Sequence, residues 1–193
     1  MSIAAMILAA GQGTRFGPEP KLLAELAGRP LVRHVADAAL ASTSAPVLAV
    51  LGHRREAVEA VLPPAVRRVE NPDYARGLST SLRAGFAALG PAAEAAVVLL
   101  GDMPRVTPAL IDRLIDTWIA AGRPAAVVPT YDGRRGNPVL LSAALAPEIA
   151  KLSGDTGAGA LLRARSDVYE LPVTVASILA DVDTPEALAA LRG

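Results

Sequence analysis

Short apolar segments alternate with longer segments of helical periodicity along the whole chain. Apolar runs that end in glycine, proline or polar residues are typical of buried parallel strands, whereas apolar residues three and four positions apart are typical of amphipathic helices. The predicted strands are 3–8, 46–51, 66–70, 95–100, 125–129, 138–141 and 168–171. The predicted helices lie near 30–41, 54–62, 79–89, 108–121, 142–152, 157–165 and 185–191.

This alternation predicts an α/β fold, in which a three-layer α/β/α sandwich is built around a mostly parallel, Rossmann-like sheet. Thr107 and Thr184 each precede a proline, which is a typical helix start with a capping side chain followed by proline at the first helical position. The chain has 193 residues and no internal repeat or linker, so we expect residues 1–193 to form a single domain. Ligands of open α/β sheets bind beyond the carboxyl ends of the strands.

Composition excludes several classes of protein and site. The chain has 19 basic and 19 acidic residues, which argues against a nucleic-acid or membrane-surface partner. There is no cysteine, and the only histidines are His34 and His53, so thiolate chemistry and a histidine-rich metal site are excluded. No apolar run approaches the roughly 20 residues that cross a bilayer, and the first run lacks the basic flank of a signal peptide. We therefore expect a cytoplasmic protein.

The first candidate site follows the first predicted strand. Gly11 and Gly13 allow backbone N–H groups to approach a ligand, and Arg15 and Lys21 add positive charge nearby. The pattern lacks the Lys-[Ser/Thr] pair of a P-loop, and Phe16 stands where a dinucleotide-binding loop has its third glycine. The loop therefore suits a polyanion such as a nucleoside triphosphate, although a simple strand-ending turn has the same local pattern.

Lysine usage gives weight to Lys21. The chain has seventeen arginines but only two lysines, Lys21 and Lys151. A compact ammonium acts as a point charge on phosphate oxygens, a role for which a planar guanidinium is less suited.

Carboxylates follow the strand at 95–100 and recur near the end of the chain. Asp102, between Gly101 and Pro104, is placed to hold Mg²⁺ beside a triphosphate, or else to cap the following turn. Asp181 and Asp183 share one face of an extended segment and could reach the same metal, although Asp183 could instead cap a helix.

With these motifs together, the chain resembles the nucleotidyltransferases related to the molybdenum cofactor cytidylyl- and guanylyltransferases. The resemblance covers essentially the whole chain, and its blocks run in family order. The matching residues are 8–17 with Lys21, 71–72, 77–82, 100–104, 136–138, 154–157 and 181–185.

The resemblance implies roles for individual positions. Lys21, Arg15 and Asp102 would be catalytic, and Asp102 and Asp183 would hold Mg²⁺. The acceptor would contact Asn137, Asp155 and Thr156. The nucleotide would contact Leu8, Ala9, Ala10, Gly11, Gly13, Lys21, Leu78, Ser79, Ser81 and Gly101.

Two details of the resemblance bear on these roles. Ala10 stands where the guanylyl branch tends to have glycine, which favours CTP over GTP. Arg15 and Lys21 are six residues apart, whereas family members commonly place them five apart, so the reach of Lys21 is an open point.

The implied reaction is transfer of CMP from CTP to the terminal phosphate of molybdopterin with release of pyrophosphate. A molybdenum hydroxylase or its maturation chaperone is the expected downstream partner. Alternatives are the same chemistry with GTP, a cytidylyl transfer to a sugar or polyol phosphate, and a nucleotide-binding chaperone that delivers cofactor without turnover.

Two further motifs remain open. Arg134 and Arg135 fit an exposed turn on local sequence, whereas the resemblance places them near an anionic acceptor. His34 and His53 are interpreted as surface or helix residues.

Overall fold

A central sheet organises the part of the chain that the computed structural model describes, residues 2–17 and 20–192. Within those residues there are ten strands and seven α-helices. The strands are β1 (Ser2–Ala9), β2 (Glu25–Leu26), β3 (Arg29–Pro30), β4 (Val47–Leu51), β5 (Arg67–Glu70), β6 (Ala93–Leu100), β7 (Ala126–Tyr131), β8 (Arg134–Arg135), β9 (Val139–Ser142) and β10 (Val168–Pro172). The helices are α1 (Leu31–Leu40), α2 (Arg55–Val61), α3 (Leu78–Ala87), α4 (Pro108–Ala120), α5 (Ala146–Ile149), α6 (Ala158–Leu162) and α7 (Pro185–Arg192).

The main sheet has the order β10-β7-β9-β6-β1-β4-β5, with β8 paired to β7. Strand β1 lies at its centre and pairs in parallel with β4 and β6. Strand β9 runs antiparallel to both β6 and β7. The predicted α/β sandwich with a mostly parallel sheet is therefore confirmed. The antiparallel strand β9 and the small β2–β3 ladder were not predicted.

Both faces of β1 are buried, which explains its continuous apolar sequence. Ala5, Ile7 and Ala9 pack into one core cluster, and Met6 and Leu8 pack into the cluster on the opposite face. Helices cover both faces of the sheet, so a strand with alternating polar residues would not fit at this position.

Helix α3 lies unusually close to β1 because of one glycine. A Cβ atom at Gly85 would lie 2.3 Å from the sulfur of Met6, so a side chain there would have to displace the buried Met6 side chain. The close contact packs the carboxyl-terminal half of α3 against the middle of β1.

The helix starts agree with the sequence. The Thr107 hydroxyl accepts a hydrogen bond from the Leu110 N–H at 3.3 Å, and the Thr184 hydroxyl accepts one from the Ala187 N–H at 3.2 Å. Thr184 therefore caps the start of α7, a role that the sequence analysis gave as one alternative for Asp183. The predicted helices at 142–152 and 157–165 are much shorter, and α5 and α6 retain four and five residues of them.

No helix among the described residues is both long enough and apolar enough to span a bilayer.

Candidate active site

A cavity of about 460 Å³ opens at the carboxyl ends of β1, β4 and β6. Predicted residues from five distant segments meet there, which the rule for open α/β sheets anticipates. Those predicted residues are Leu8, Ala10, Gly11, Gly13, Lys21, Leu78, Ser81, Asp102 and Asp155.

The glycine loop forms the wall that follows β1. Gly13 has a left-handed backbone with φ +59°, and a Cβ atom there would lie 3.1 Å from the Cβ of Lys21. The loop therefore folds back onto the stem of Lys21. The side chain of Arg15 and residues 18 and 19 lie outside the described part of the chain, so the predicted role of Arg15 and the unusual spacing to Lys21 stay predictions.

Lys21 lines the cavity and forms two ion pairs. Its Nζ atom lies 2.5 Å from Oδ2 of Asp102 and 2.9 Å from Oδ1 of Asp183. The side chains of Lys21 and Asp102 are only 13% and 15% exposed, so water screens this pair weakly. Asp102 and Asp183 lie 81 and 162 residues after Lys21, so these ion pairs join distant parts of the chain.

The ion pairs keep Lys21 positively charged. Burial alone would lower the pKa of Lys21, but the charges and hydrogen bonds of Asp102 and Asp183 together outweigh burial and raise that pKa above its ordinary value. Lys21 is therefore a fixed cation and not a proton donor at neutral pH.

Asp181 completes a group of carboxylates, here called the carboxylate cluster: Asp102, Asp181 and Asp183. One oxygen from each lies within 4.8 Å of the others. The Val182 N–H donates to the Asp102 carbonyl at 3.0 Å and thereby holds the two segments together.

The carboxylate cluster fits a divalent cation. Oδ1 of Asp102 is buried and has no hydrogen-bond partner among the described residues. An unpaired buried carboxylate oxygen is costly, and a hard cation that takes oxygen ligands would satisfy it.

Gly101 allows Asp102 to reach this position. The Gly101 N–H donates to the Leu8 carbonyl at 3.0 Å, which extends the contact between β6 and β1 beyond the strand. A Cβ atom at Gly101 would lie 3.2 Å from the same carbonyl oxygen, so a side chain would crowd this junction.

The opposite wall is built where the start of α3 meets the loop before α6. The Leu78 N–H donates to Oδ1 of Asp155 at 3.4 Å, and the Ser79 N–H donates to the Gly154 carbonyl at 3.1 Å. Gly77 has φ +110°, and a Cβ atom there would lie 2.3 Å from the carbonyl carbon of Gly154.

Replacing Gly77 by alanine is expected to push these two loops apart. The positive φ alone costs an alanine roughly 1–2 kcal/mol, and the clash with Gly154 adds to it. We expect a lower free energy of unfolding in urea and a CTP affinity, measured by calorimetry, that is weaker by about tenfold. Gly90→Ala is the matched control, because a Cβ atom at Gly90 meets no atom within 4 Å. Equal CTP affinity in both variants would contradict a role for this wall.

Asn71 supports the same wall from beneath. It is buried after β5, and its Nδ2 donates to the Thr80 and Ser81 hydroxyls at 2.9 and 3.0 Å. Its side-chain oxygen accepts from the Asp73 N–H at 3.1 Å.

Removal of the Asn71 amide leaves buried hydroxyl groups without their partner. Asn71→Ala is expected to lower the free energy of unfolding by about 1–3 kcal/mol, measured by urea denaturation. The exposed Asp73, two residues further on, provides a control, and Asp73→Ala should change stability far less. A stability loss no larger than that of Asp73→Ala would contradict the role of this network.

Several lining residues were missed by the sequence analysis, among them His53, Arg54 and Tyr74. His53, which was interpreted as a surface or helix residue, is half-buried between β4 and α2, where it lines the cavity and packs against Tyr74 with ring centroids 5.9 Å apart. Its backbone N–H donates to the Ala10 carbonyl at 3.1 Å. His53 lies two residues beyond the end of β4, which is where ligands of open α/β sheets bind.

Other predicted residues do not line the cavity, and the predicted metal ligand Asp183 is one of them. Ala9 and Gly101 lie behind the lining residues of β1 and β6, and Ser79 is fully buried in α3. Asn137 lies near β9, where its N–H donates to the Ile178 carbonyl at 2.8 Å. Thr156 follows Asp155 but is outside the lining.

Arg134 and Arg135 form strand β8 of a tight hairpin with β7. The turn itself lies at residues 132–133, directly before the two arginines. Arg135 pairs with Glu170 at 2.8 Å, and both arginines are exposed.

Comparison with known proteins agrees with this architecture. Residues 5–168 match the model of the family described as the MobA-like NTP transferase domain. The chain belongs to this family. The resemblance found in the sequence is thereby confirmed, and the domain is a nucleotidyltransferase of the MobA-like type.

Two curated proteins with different names are similar to this MobA-like chain. Nicotine blue oxidoreductase of Paenarthrobacter nicotinovorans is 34% identical over 194 residues, covering 96% of this chain and 94% of that protein. The bifunctional protein GlmU of Sorangium cellulosum is 34% identical over 169 residues, covering 83% of this chain but 32% of GlmU. The MobA-like chain thus spans about a third of the length of GlmU.

Among solved structures, Rv0371c from Mycobacterium tuberculosis H37Rv is very similar. Its crystal structure superposes on this chain with a TM-score of 0.89 at 31% sequence identity. The superposition covers 100% of this chain and 97% of the Rv0371c chain. A second crystal structure of Rv0371c is a complex with manganese, with a TM-score of 0.85, 29% identity and coverage of 100% and 98%. Divalent metal binding is therefore consistent with both the carboxylate cluster and a close structural relative.

Proposed function

We propose that this protein transfers CMP from CTP to the terminal phosphate of molybdopterin and releases pyrophosphate. The observation that carries the proposal is the pairing of Lys21 with Asp102 and Asp183 beside a cavity that a glycine loop walls on one side. A cation, a group of carboxylates and backbone amides at one point are what a triphosphate and its metal require.

The reaction needs positioning and charge stabilisation more than proton transfer. An oxygen of the acceptor phosphate forms a bond to the α-phosphorus of CTP, and the bond from that phosphorus to the oxygen of the leaving pyrophosphate breaks. The acceptor phosphate is already ionised, so no general base is required. The amides of the glycine loop, Arg15 and Lys21 would stabilise negative charge on the phosphates.

Asp102 and Asp183, joined by Asp181, would hold Mg²⁺ at the carboxylate cluster. When bound, the metal supplies neutralisation of phosphate charge. Mg²⁺ is proposed as the working ion because it is usually held by one or two carboxylates together with substrate phosphates.

The choice of CTP is supported by Ala10, which lines the cavity with its side chain buried, opposite a wall formed by Leu78 and Ser81. We propose that the cytosine base lies between them, with Leu8 lining the same region and Ala9, Ser79 and Gly101 behind it. The acceptor would lie on the side of Asp155, with Asn137 and Thr156 beyond it.

We further propose that the protein works in the cytoplasm, where its triphosphate substrate is made, as one domain spanning residues 1–193. Its product would pass to a molybdenum hydroxylase or the maturation chaperone of that enzyme.

A second candidate function comes from the whole-length similarity to nicotine blue oxidoreductase. Under this alternative the cavity would hold a planar redox substrate such as nicotine blue. The test is reduction of nicotine blue, followed by absorbance, with reduced nicotinamide nucleotides as electron donors. Sustained turnover that does not change in Asp102→Ala would favour the alternative over nucleotidyl transfer.

A further inference from the structure

Lys21 is shared between two places where charged ligands would bind. Its ammonium pairs with Oδ2 of Asp102 and Oδ1 of Asp183, two members of the carboxylate cluster. Its stem lies against the glycine loop, since a Cβ atom at Gly13 would be 3.1 Å from Cβ and 3.8 Å from Cε of Lys21. One side chain therefore links the proposed metal site to the proposed triphosphate site.

The same ion pairs oppose metal binding. A divalent cation at the carboxylate cluster would lie a few ångströms from the ammonium, and both would draw on the same carboxylates. Because Lys21 and Asp102 are mostly shielded from water, the repulsion between the two cations is screened weakly.

We propose that Lys21 is a latch that couples the two sites: it lowers the affinity of the carboxylate cluster for a divalent cation until a polyphosphate draws the ammonium toward the glycine loop. This rests on the proposed function in two respects, that the carboxylate cluster holds a metal and that the polyphosphate belongs to a nucleotide. Metal and triphosphate then bind together and not one by one. The side chain need not travel far, because its stem already lies beside the loop.

An opposite role for Lys21 is physically reasonable and gives the opposite sign. If Lys21 served to orient Asp102 so that its unpaired Oδ1 faced the metal, loss of the lysine would weaken metal binding. The two roles are therefore separated by the direction of a single measured change.

The test is direct Mn²⁺ titration, monitored by electron paramagnetic resonance without nucleotide. We expect Lys21→Met to bind Mn²⁺ roughly tenfold more tightly than the wild type or better, because a fixed cation has been removed. Lys21→Arg keeps the charge and should stay near the wild-type affinity. Lys151→Met, at the only other lysine, controls for a general change of charge.

Equal or weaker Mn²⁺ binding by Lys21→Met, in a variant that circular dichroism shows to be folded, would overturn the latch. Failure of all four proteins to bind Mn²⁺ would overturn both the latch and the metal site of the proposed function. Tight binding by the wild type, unchanged in Lys21→Met, would overturn the latch alone.

A second measurement follows the lysine itself. With two lysines in the chain, ¹³C labelling at Cε gives two signals to assign. Inorganic tripolyphosphate, added without metal, should shift the Lys21 signal and leave the Lys151 signal unchanged. A Lys21 signal that does not respond while tripolyphosphate binds, as measured by calorimetry, would contradict the movement.

Discussion

Replacing Asp102 by alanine is expected to reduce metal-dependent pyrophosphate release from CTP by about 10²–10³-fold or more, with the fold retained. Asp102 contributes the most shielded carboxylate of the cluster, at 15% exposed, and one of its oxygens is buried with no hydrogen-bond partner in the described part of the chain. Its loss removes a metal ligand, whereas Lys21 keeps its ion pair with Asp183. The variant should therefore fold, because no buried cation is left without a partner.

Turnover of Asp102→Ala is measured by a coupled pyrophosphate assay at increasing Mg²⁺, and folding by circular dichroism and urea denaturation. Asp116→Ala provides the control, because Asp116 is an exposed carboxylate of α4. A folded Asp102→Ala protein with near-normal turnover would refute the metal assignment.

Replacing Lys21 by alanine is expected to lower the rate of nucleotidyl transfer by about 10²–10³-fold. The reason is loss of a fixed positive charge, held in place by Asp102 and Asp183, from the point where negative charge develops on the phosphates. The effect should appear mainly in kcat, because the charge matters most in the transition state. Lys21→Arg should recover part of the rate.

Steady-state kinetics with varied CTP at saturating Mg²⁺ separate kcat from KM for these variants. Lys151→Ala should behave like the wild type, since Lys151 is exposed and does not line the cavity. A change in KM alone would indicate that Lys21 contributes equally to substrate and transition-state binding and would contradict a catalytic role. Slower turnover together with tighter Mn²⁺ binding in Lys21→Met is the combined result that the latch and the catalytic role require.

The fold was predictable because its strands are buried on both faces. The run 3–8 is apolar throughout, and its residues pack alternately into two cores. A strand buried on both faces was therefore the simplest explanation of this pattern. The sequence did not show that β9 runs antiparallel, because strand direction depends on pairing between distant segments and leaves no local pattern. The short helices α5 and α6 were overestimated since their apolar residues extend beyond the hydrogen-bonded turns.

The candidate site was predictable where chemistry-bearing residues closely follow a strand, as with Gly11 and Asp102. The ion pairs of Lys21 were not predicted, because they join residues 81 and 162 positions apart and need the closed fold. His53 and Tyr74 were missed because neither belongs to a recognisable motif in its own segment. They become lining residues only when β4 lies beside β1 and Tyr74 packs against Gly52, where a Cβ atom would meet its ring at 2.7 Å.

The proposed function depends on transfer of a nucleotide from CTP. Pyrophosphate release is measured with CTP, GTP, ATP and UTP in turn, with Mg²⁺, in the presence and absence of molybdopterin. We expect release with CTP that depends on both Mg²⁺ and molybdopterin and is lost in Asp102→Ala. Strict dependence on GTP would contradict the nucleotide assignment, and binding of CTP without any release of pyrophosphate would contradict the claim of catalysis.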